Sequence, residues 1–191
     1  MSSTAPTLLF IVGPPAVGKM TVGVDVCRRT GFRLFHNHLT IELVLRYFDY
    51  GTPPSARLVG EFRRRLLEEV AASPLPGLVF TYVWAFDDAA AVEAYAAAFR
   101  ARGGRGLFAE LEATLDERLL RNETAFRMAE KPSKRDVTAA RRHLLDADAR
   151  YRLNSGGALD DSDDYFRLDT TALSAEEAAA RIVDWFNLLV G

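Results

Sequence analysis

The sequence predicts an α/β protein, an open five-stranded parallel sheet with helices on both faces, and three observations carry that reading. Apolar runs rich in β-formers alternate with helical stretches along the chain. The clearest runs are apolar at nearly every position rather than every second one, as strands covered on both faces must be. The first run stops at a glycine that begins a turn into a helix.

The elements follow in order. Thr7–Val12 (TLLFIV) is a buried strand, and Gly18 to Thr30 a helix ended by Gly31. Phe32–Phe35 is a short second strand. Leu39–Tyr50 and Ser55–Ala72 are helices, separated by the breaker Gly51-Thr52-Pro53-Pro54. Leu78–Ala85 (LVFTYVWA) is the clearest central strand. Ala89–Arg102 is an alanine-rich helix, followed after Gly103 and Gly104 by the strand Gly106–Leu111. Helices at Leu115–Asn122 and Val137–Arg150 flank a polar, charged stretch. Tyr165–Leu168 is the last strand, and Ser174–Leu189 the closing helix, where Ser174 and Glu177 have the spacing of a capping box. Crossovers between parallel strands are right-handed, and ligands of such sheets bind beyond the strands' carboxyl ends.

At 191 residues the chain has the size of one domain, and folding buries roughly 70% of the surface of an unfolded chain this long. With 49% apolar, 26% charged and 10% aromatic residues it is neither disordered nor collagen-like. A formal charge of −2 gives no basic field for nucleic acid or a membrane. Only Lys19, Lys131 and Lys134 among the 24 basic residues are lysines. The arginine excess suits forked contacts to phosphate and carboxylate, and GC-rich coding produces the same bias. A lone cysteine, Cys27, points to a reducing compartment. The first residues show no basic segment leading into an apolar run, so the expected location is cytoplasmic. The acidic run Asp160–Asp164 lacks calcium-loop spacing and reads as a solvated turn.

Gly13, Pro14, Pro15, Ala16, Val17, Gly18 and Lys19 fit G-x-x-x-x-G-K directly after a strand and at the opening of a helix. Successive backbone N–H groups and the helix N-terminus make an anion cradle there, and Lys19 reaches the β- and γ-phosphate oxygens. The residue after the lysine is Met20, so Thr21 is the nearest hydroxyl for Mg²⁺. This loop resembles that of adenylate kinases, G-P-P-G-x-G-K-G-T, with Ala16 in place of a glycine.

The resemblance extends along the chain. Leu34 to Glu42 (LFHNHLTIE) resembles the D-x-D-x-x-I-E segment of shikimate kinases, with His36 and His38 where those enzymes carry aspartates. Phe62-Arg63 resembles the F-R-x-x-E helix, whose arginine binds the substrate carboxylate, although Leu66 takes the place of the glutamate. The family's three-glycine turn is replaced by Val83-Trp84-Ala85. Arg121 to Arg127 resembles a lid, and Asp169-Thr170-Thr171 stands where the adenine-contacting loop lies. The chain is thus similar to the shikimate-kinase and adenylate-kinase branch of small P-loop kinases, a three-layer fold. The same architecture serves gluconate kinases, phosphotransferases acting on antibiotics such as chloramphenicol, and tunicamycin-resistance proteins. The lost aspartates and glycine turn argue against shikimate itself.

The resemblance implies a single kinase domain over residues 1–191, with a lid at about 122–136. ATP·Mg²⁺ lies on the loop. Arg118, Arg121 and Thr170 join the nucleotide contacts, and His36, Asn37, His38, Arg63 and Trp84 contact the acceptor. Lys19 and Arg127 neutralise transferred charge. His38 or Asp87 takes the hydroxyl proton. Thr21 and Asp87 are the Mg²⁺ candidates, and Asp87 is equally an N-cap; the histidines are read first as acceptor contacts, with structural hydrogen bonding the alternative, and Trp84 first as core, with a place in the acceptor pocket the alternative. If Phe62 is buried, Arg63 and Arg65 flank it, with Glu68 and Glu69 spaced to pair with arginines one turn earlier. The expected activity is ATP-dependent phosphoryl transfer to a small-molecule hydroxyl, by a monomer or homodimer without nucleic-acid or membrane partners. The alternative is a regulatory NTPase module without an acceptor.

Overall fold

A computed structural model of the chain describes residues 5–86, 90–122 and 136–188. Five strands form one sheet: β1 (Thr7–Val12), β2 (Arg33–His36), β3 (Gly77–Thr81), β4 (Arg105–Glu112) and β5 (Tyr165–Asp169). Their order is β2-β3-β1-β4-β5, parallel throughout. The helices are α1 (Lys19–Thr30), α2 (His38–Val44), α3 (Pro53–Ala71), α4 (Ala90–Arg100), α5 (Leu115–Asn122), α6 (Val137–Arg150) and α7 (Ala175–Trp185).

The period-two alternation of β1 divides the core into two layers. Leu9 and Ile11 pack with Val22 and Val26 of α1 and Ile182 of α7. Leu8, Phe10 and Val12 face the other way, towards Leu67 of α3 and Phe99 of α4. Register aligns aromatic residues across the second face: Phe35, Phe80, Phe10, Phe108 and Tyr165 are successive partners on β2, β3, β1, β4 and β5. Phe35 and Phe80 stack at 4.8 Å between centroids, and Phe10 and Phe108 at 4.9 Å.

Several expectations need correction. Strand β3 ends at Thr81 rather than Ala85. Tyr82 makes a last backbone bond, N–H to Ile11 O at 3.0 Å, and the chain then leaves the sheet. Apolar density there reflects burial beyond the strand end. Helix α2 stops at Val44 instead of Tyr50 and continues as turns. Phe62 is exposed and Arg63 buried, the reverse of the expected phase, because the guanidinium finds partners on the α2 side. The expected surface pairs of α3 do form, Arg64 with Glu68 at 2.6 Å and Arg65 with Glu69. Helix α7 starts with the full capping box.

Candidate active site

Strand β1 is the middle of the sheet, so the loop after it opens at the centre of the sheet's carboxyl edge. Gly13 at φ 129°, Ala16 at φ 64° and Gly18 at φ 103° turn the chain into α1. Ala16 therefore adopts the left-handed conformation that a glycine would take without cost. No side chain caps the N-terminus of α1, and its first turn holds no acid. An uncapped, acid-free helix N-terminus of this kind suits an anion. Lys19 Nζ donates to the carbonyls of Gly13 at 2.7 Å and Pro14 at 2.6 Å, which places the ammonium over the loop.

A cavity of about 960 Å³ runs along this edge. Its wall includes Pro15, Ala16, Val17, Gly18, Lys19, Met20 and Thr21 of the loop, and Asn37, His38, Arg63, Arg121 and Thr170 from elsewhere. Gly13 and Pro14 are buried beneath it. The loop residues, two of the three acceptor candidates after β2 and the arginine of α3 thus share one space.

Arg121 ties the nucleotide end together. Its Nε bonds Glu117 at 2.8 Å, Nη1 donates to Val17 O at 3.0 Å and Thr170 Oγ1 at 3.1 Å, and Nη2 donates to Thr170 O at 2.7 Å. It links the loop after β1 to the turn after β5. In that turn Asp169 accepts from Thr171 N–H at 2.8 Å and Thr171 Oγ1 at 2.6 Å, bonds that hold its carboxyl below the usual range.

At the other end Arg63 is 8% exposed. Its Nε donates to Thr40 Oγ1 at 3.2 Å, its Nη2 to Asn37 Oδ1, and its guanidinium lies 5.5 Å from the Tyr82 ring centroid. No carboxylate pairs with it among the described residues. Burial pushes its pKa below the ordinary arginine value, partly offset by Tyr82, Tyr95 and Tyr50.

Three further candidates, Trp84, Arg118 and His36, also lie off the cavity wall. Trp84 is 7% exposed and stacks on Phe86 at 4.2 Å, which makes it a packing residue. Arg118 is buried and bonded to Asp148 at 2.6 Å. His36 closes β2 opposite Thr81, whereas His38 opens α2, so the two do not share one side of a strand end. Asp87, Arg127, Lys131, Lys134 and Arg135, with most of the expected lid, lie outside the described residues. Among the described residues no group of three or more His, Cys, Asp or Glu could hold a metal ion. Thr21 lies on the cavity wall, as does Thr170, whose hydroxyl reaches Val17 O of the loop.

The sequence reading passed over Tyr82, Tyr50 and Tyr151, which line the cavity. It also passed over Glu110, fully buried in β4. An acid inside the apolar run GLFAEL was the available signal. Cys27 is half-buried, and desolvation raises its thiol pKa to about 11, fitting a structural role.

No family profile matches the sequence, and no curated protein does. Solved structures do resemble the fold. The APS kinase of Mycobacterium tuberculosis, in complex with AMPPNP and APS, superposes with a TM-score of 0.60 at 14% identity, over 96% of this chain and 98% of that one. The shikimate kinase of Acinetobacter baumannii, in complex with shikimate, gives 0.57 at 19% identity over 95% and 93%. The tunicamycin resistance protein of Deinococcus radiodurans gives 0.56 at 16% identity over 94% of both chains. The chain has the three-layer fold of the small P-loop kinases.

Proposed function

We propose that the protein is an ATP-dependent phosphotransferase that moves the γ-phosphoryl group to a hydroxyl of a small molecule. The observation that carries this reading is the continuity of one cavity from the Gly13–Lys19 loop to Asn37, His38 and Arg63. A module that only hydrolysed ATP would need no walled space beyond the phosphates.

In this reading the loop N–H groups and Lys19 hold the phosphates, and Arg121 fixes the adenine-side turn. Mg²⁺, bound mostly through phosphate oxygens, would neutralise charge between the β- and γ-phosphates. Thr21 is its nearest described candidate ligand and Asp87 a second candidate. Asn37 and Arg63 orient the acceptor, and Arg63, without a carboxylate partner among the described residues, favours an anionic group there. His38 is the candidate base and Asp87 the fallback. Positioning and charge neutralisation carry most of the rate, so the base is a modest contributor. Arg127 is the proposed lid arginine.

Lys19→Ala tests the nucleotide assignment. The lysine is only partly buried, so the circular dichroism spectrum should be retained. Loss of a charge-assisted contact of about 1.5–3 kcal/mol should weaken ATP·Mg²⁺ binding roughly 10- to 100-fold in calorimetry. Unchanged affinity would take the nucleotide off this loop.

A further inference from the structure

We propose that the protein pairs with a second copy of itself in solution, through the outer flank of α2 and α3 and about a two-fold axis.

Large apolar side chains are left exposed on this flank at helical spacing. Leu58, Phe62 and Leu66 recur every fourth residue along α3 and share one of its faces. Phe62 and Leu66 are exposed and Leu58 is half-buried, while Arg63, Leu67 and Val70 turn into the protein. Leu39 and Leu43 share a face of α2 with the same spacing, and Tyr47 follows in the turns beyond it; all three are exposed. The two helices meet through Arg63, whose Nε donates to Thr40 Oγ1 at 3.2 Å. Helix α2 begins beside this residue in the second half of α3, and residues 45–52 return the chain to the start of α3, so the pair runs antiparallel. Phe62 and Leu66 stand one place before and three places after Arg63, and Leu39 and Leu43 stand likewise to Thr40. In an antiparallel pair of right-handed helices, equal offsets from the contact put all four side chains on one flank. Five of the twelve large apolar residues left exposed among the described residues thus gather in one region, which marks an interaction surface.

Charge says what covers the flank. A lipid surface calls for a basic rim, and the exposed charges of α3 are mixed: Arg57, Arg64 and Arg65 with Glu61 and Glu69. Their order complements itself. Turning α3 over about a two-fold axis at the level of Arg63 brings Glu61 level with the partner subunit's Arg65, and Arg57 level with the partner subunit's Glu69. Glu61 and Arg65 lie on the same side of Phe62, and antiparallel packing brings like sides together. The opposite charges therefore meet along one rim, twice by symmetry, around a centre of Phe62 and Leu66. Arg65 now pairs with Glu69 of its own helix, both side chains being exposed. Such a pair is held weakly in water, so the guanidinium turns to a second carboxylate at little cost. The same two helices carry His38 and Arg63 of the cavity wall, so the dimer braces one side of the site.

Sedimentation velocity on the full chain, from roughly 1 to 100 μM, tests the association, because interfaces of ordinary size dissociate at micromolar concentration or below. A dimer is expected over the upper part of this range. Phe62→Glu and Leu43→Glu, each at an exposed position and so compatible with the fold, are each expected to raise the dissociation constant at least about tenfold. Glu61→Arg alone and Arg65→Glu alone place like charges across the rim and are expected to weaken the dimer several-fold. The double variant exchanges the two charges and is expected to recover the parent's affinity. A parent chain that stays monomeric at about 100 μM would overturn the proposal and leave the flank to a different protein. A dimer that Phe62→Glu and Leu43→Glu leave intact, or a double variant no tighter than the single ones, would overturn it as well.

Discussion

Glu110 lies beside Val12, the last residue of β1 before the phosphate loop. Its carboxylate accepts from Asn154 Nδ2 at 2.7 Å, from Ser155 N–H at 2.7 Å and Oγ at 2.6 Å, and from the Tyr165 hydroxyl. Burial and this carboxylate together push the Tyr165 pKa up, so the phenol stays a donor. The network fixes Asn154 and Ser155, directly after the cavity-lining Tyr151 and Leu153. Glu110→Ala leaves four donors without this acceptor, and at roughly 1–3 kcal/mol for each the variant should lose at least about 4 kcal/mol in urea denaturation. Glu110→Gln keeps an acceptor and should lose less. A loss below about 1 kcal/mol in Glu110→Ala would show that water replaces the carboxylate. At this scale local sequence is a poor guide: the partners of Glu110 lie 44 to 55 positions away, and Arg63 finds Thr40 and Asn37 at 23 and 26. Ordinary expectation buries Phe62 and exposes its charged neighbour; a non-local donor site inverts it.

The strand–loop–helix unit of β1 and α1 is where backbone conformation limits the sequence most. A Cβ on Gly13 would meet Leu111 O at 2.3 Å, and the residue already has φ +129°. Gly31, at φ +71°, has nothing within 4 Å. Gly31→Ala should therefore cost about 1 kcal/mol for the left-handed conformation alone. Gly13→Ala must also displace backbone, and should cost at least about 2 kcal/mol and weaken ATP binding. Equal stability of the two variants in thermal melts would contradict this account of the loop. The strand, loop and helix of this unit were legible in the sequence, because the positive φ at Gly13 and Gly18 calls for glycine at those positions; the left-handed Ala16 was not. The ends of α2 and β3 were not. Leu39, Leu43 and Tyr47 extend a helical spacing, but all three side chains are exposed, so no core contact holds the helix past Val44.

Across the whole molecule, apolar runs mark the strands buried on both faces, β1 and β3, and an aromatic row from Phe35 to Tyr165 runs in register across all five strands. That order places the loop, the β2–α2 junction and the turn after β5 along one edge, so Asn37, His38, Arg63, Arg121 and Thr170 reach one cavity. The fold leaves the acceptor open, since one architecture serves many phosphoryl acceptors. What separates a phosphotransferase from a hydrolase is the fate of the γ-phosphoryl group. The direct measurement supplies the protein with ATP carrying heavy oxygen in that group, together with a protein-free extract of cellular small molecules, and follows the label by mass spectrometry. The account predicts label in an organic phosphate ester, formed in step with ADP and lost in Lys19→Ala. Label found solely in inorganic phosphate, at a rate that the extract does not change, would contradict it.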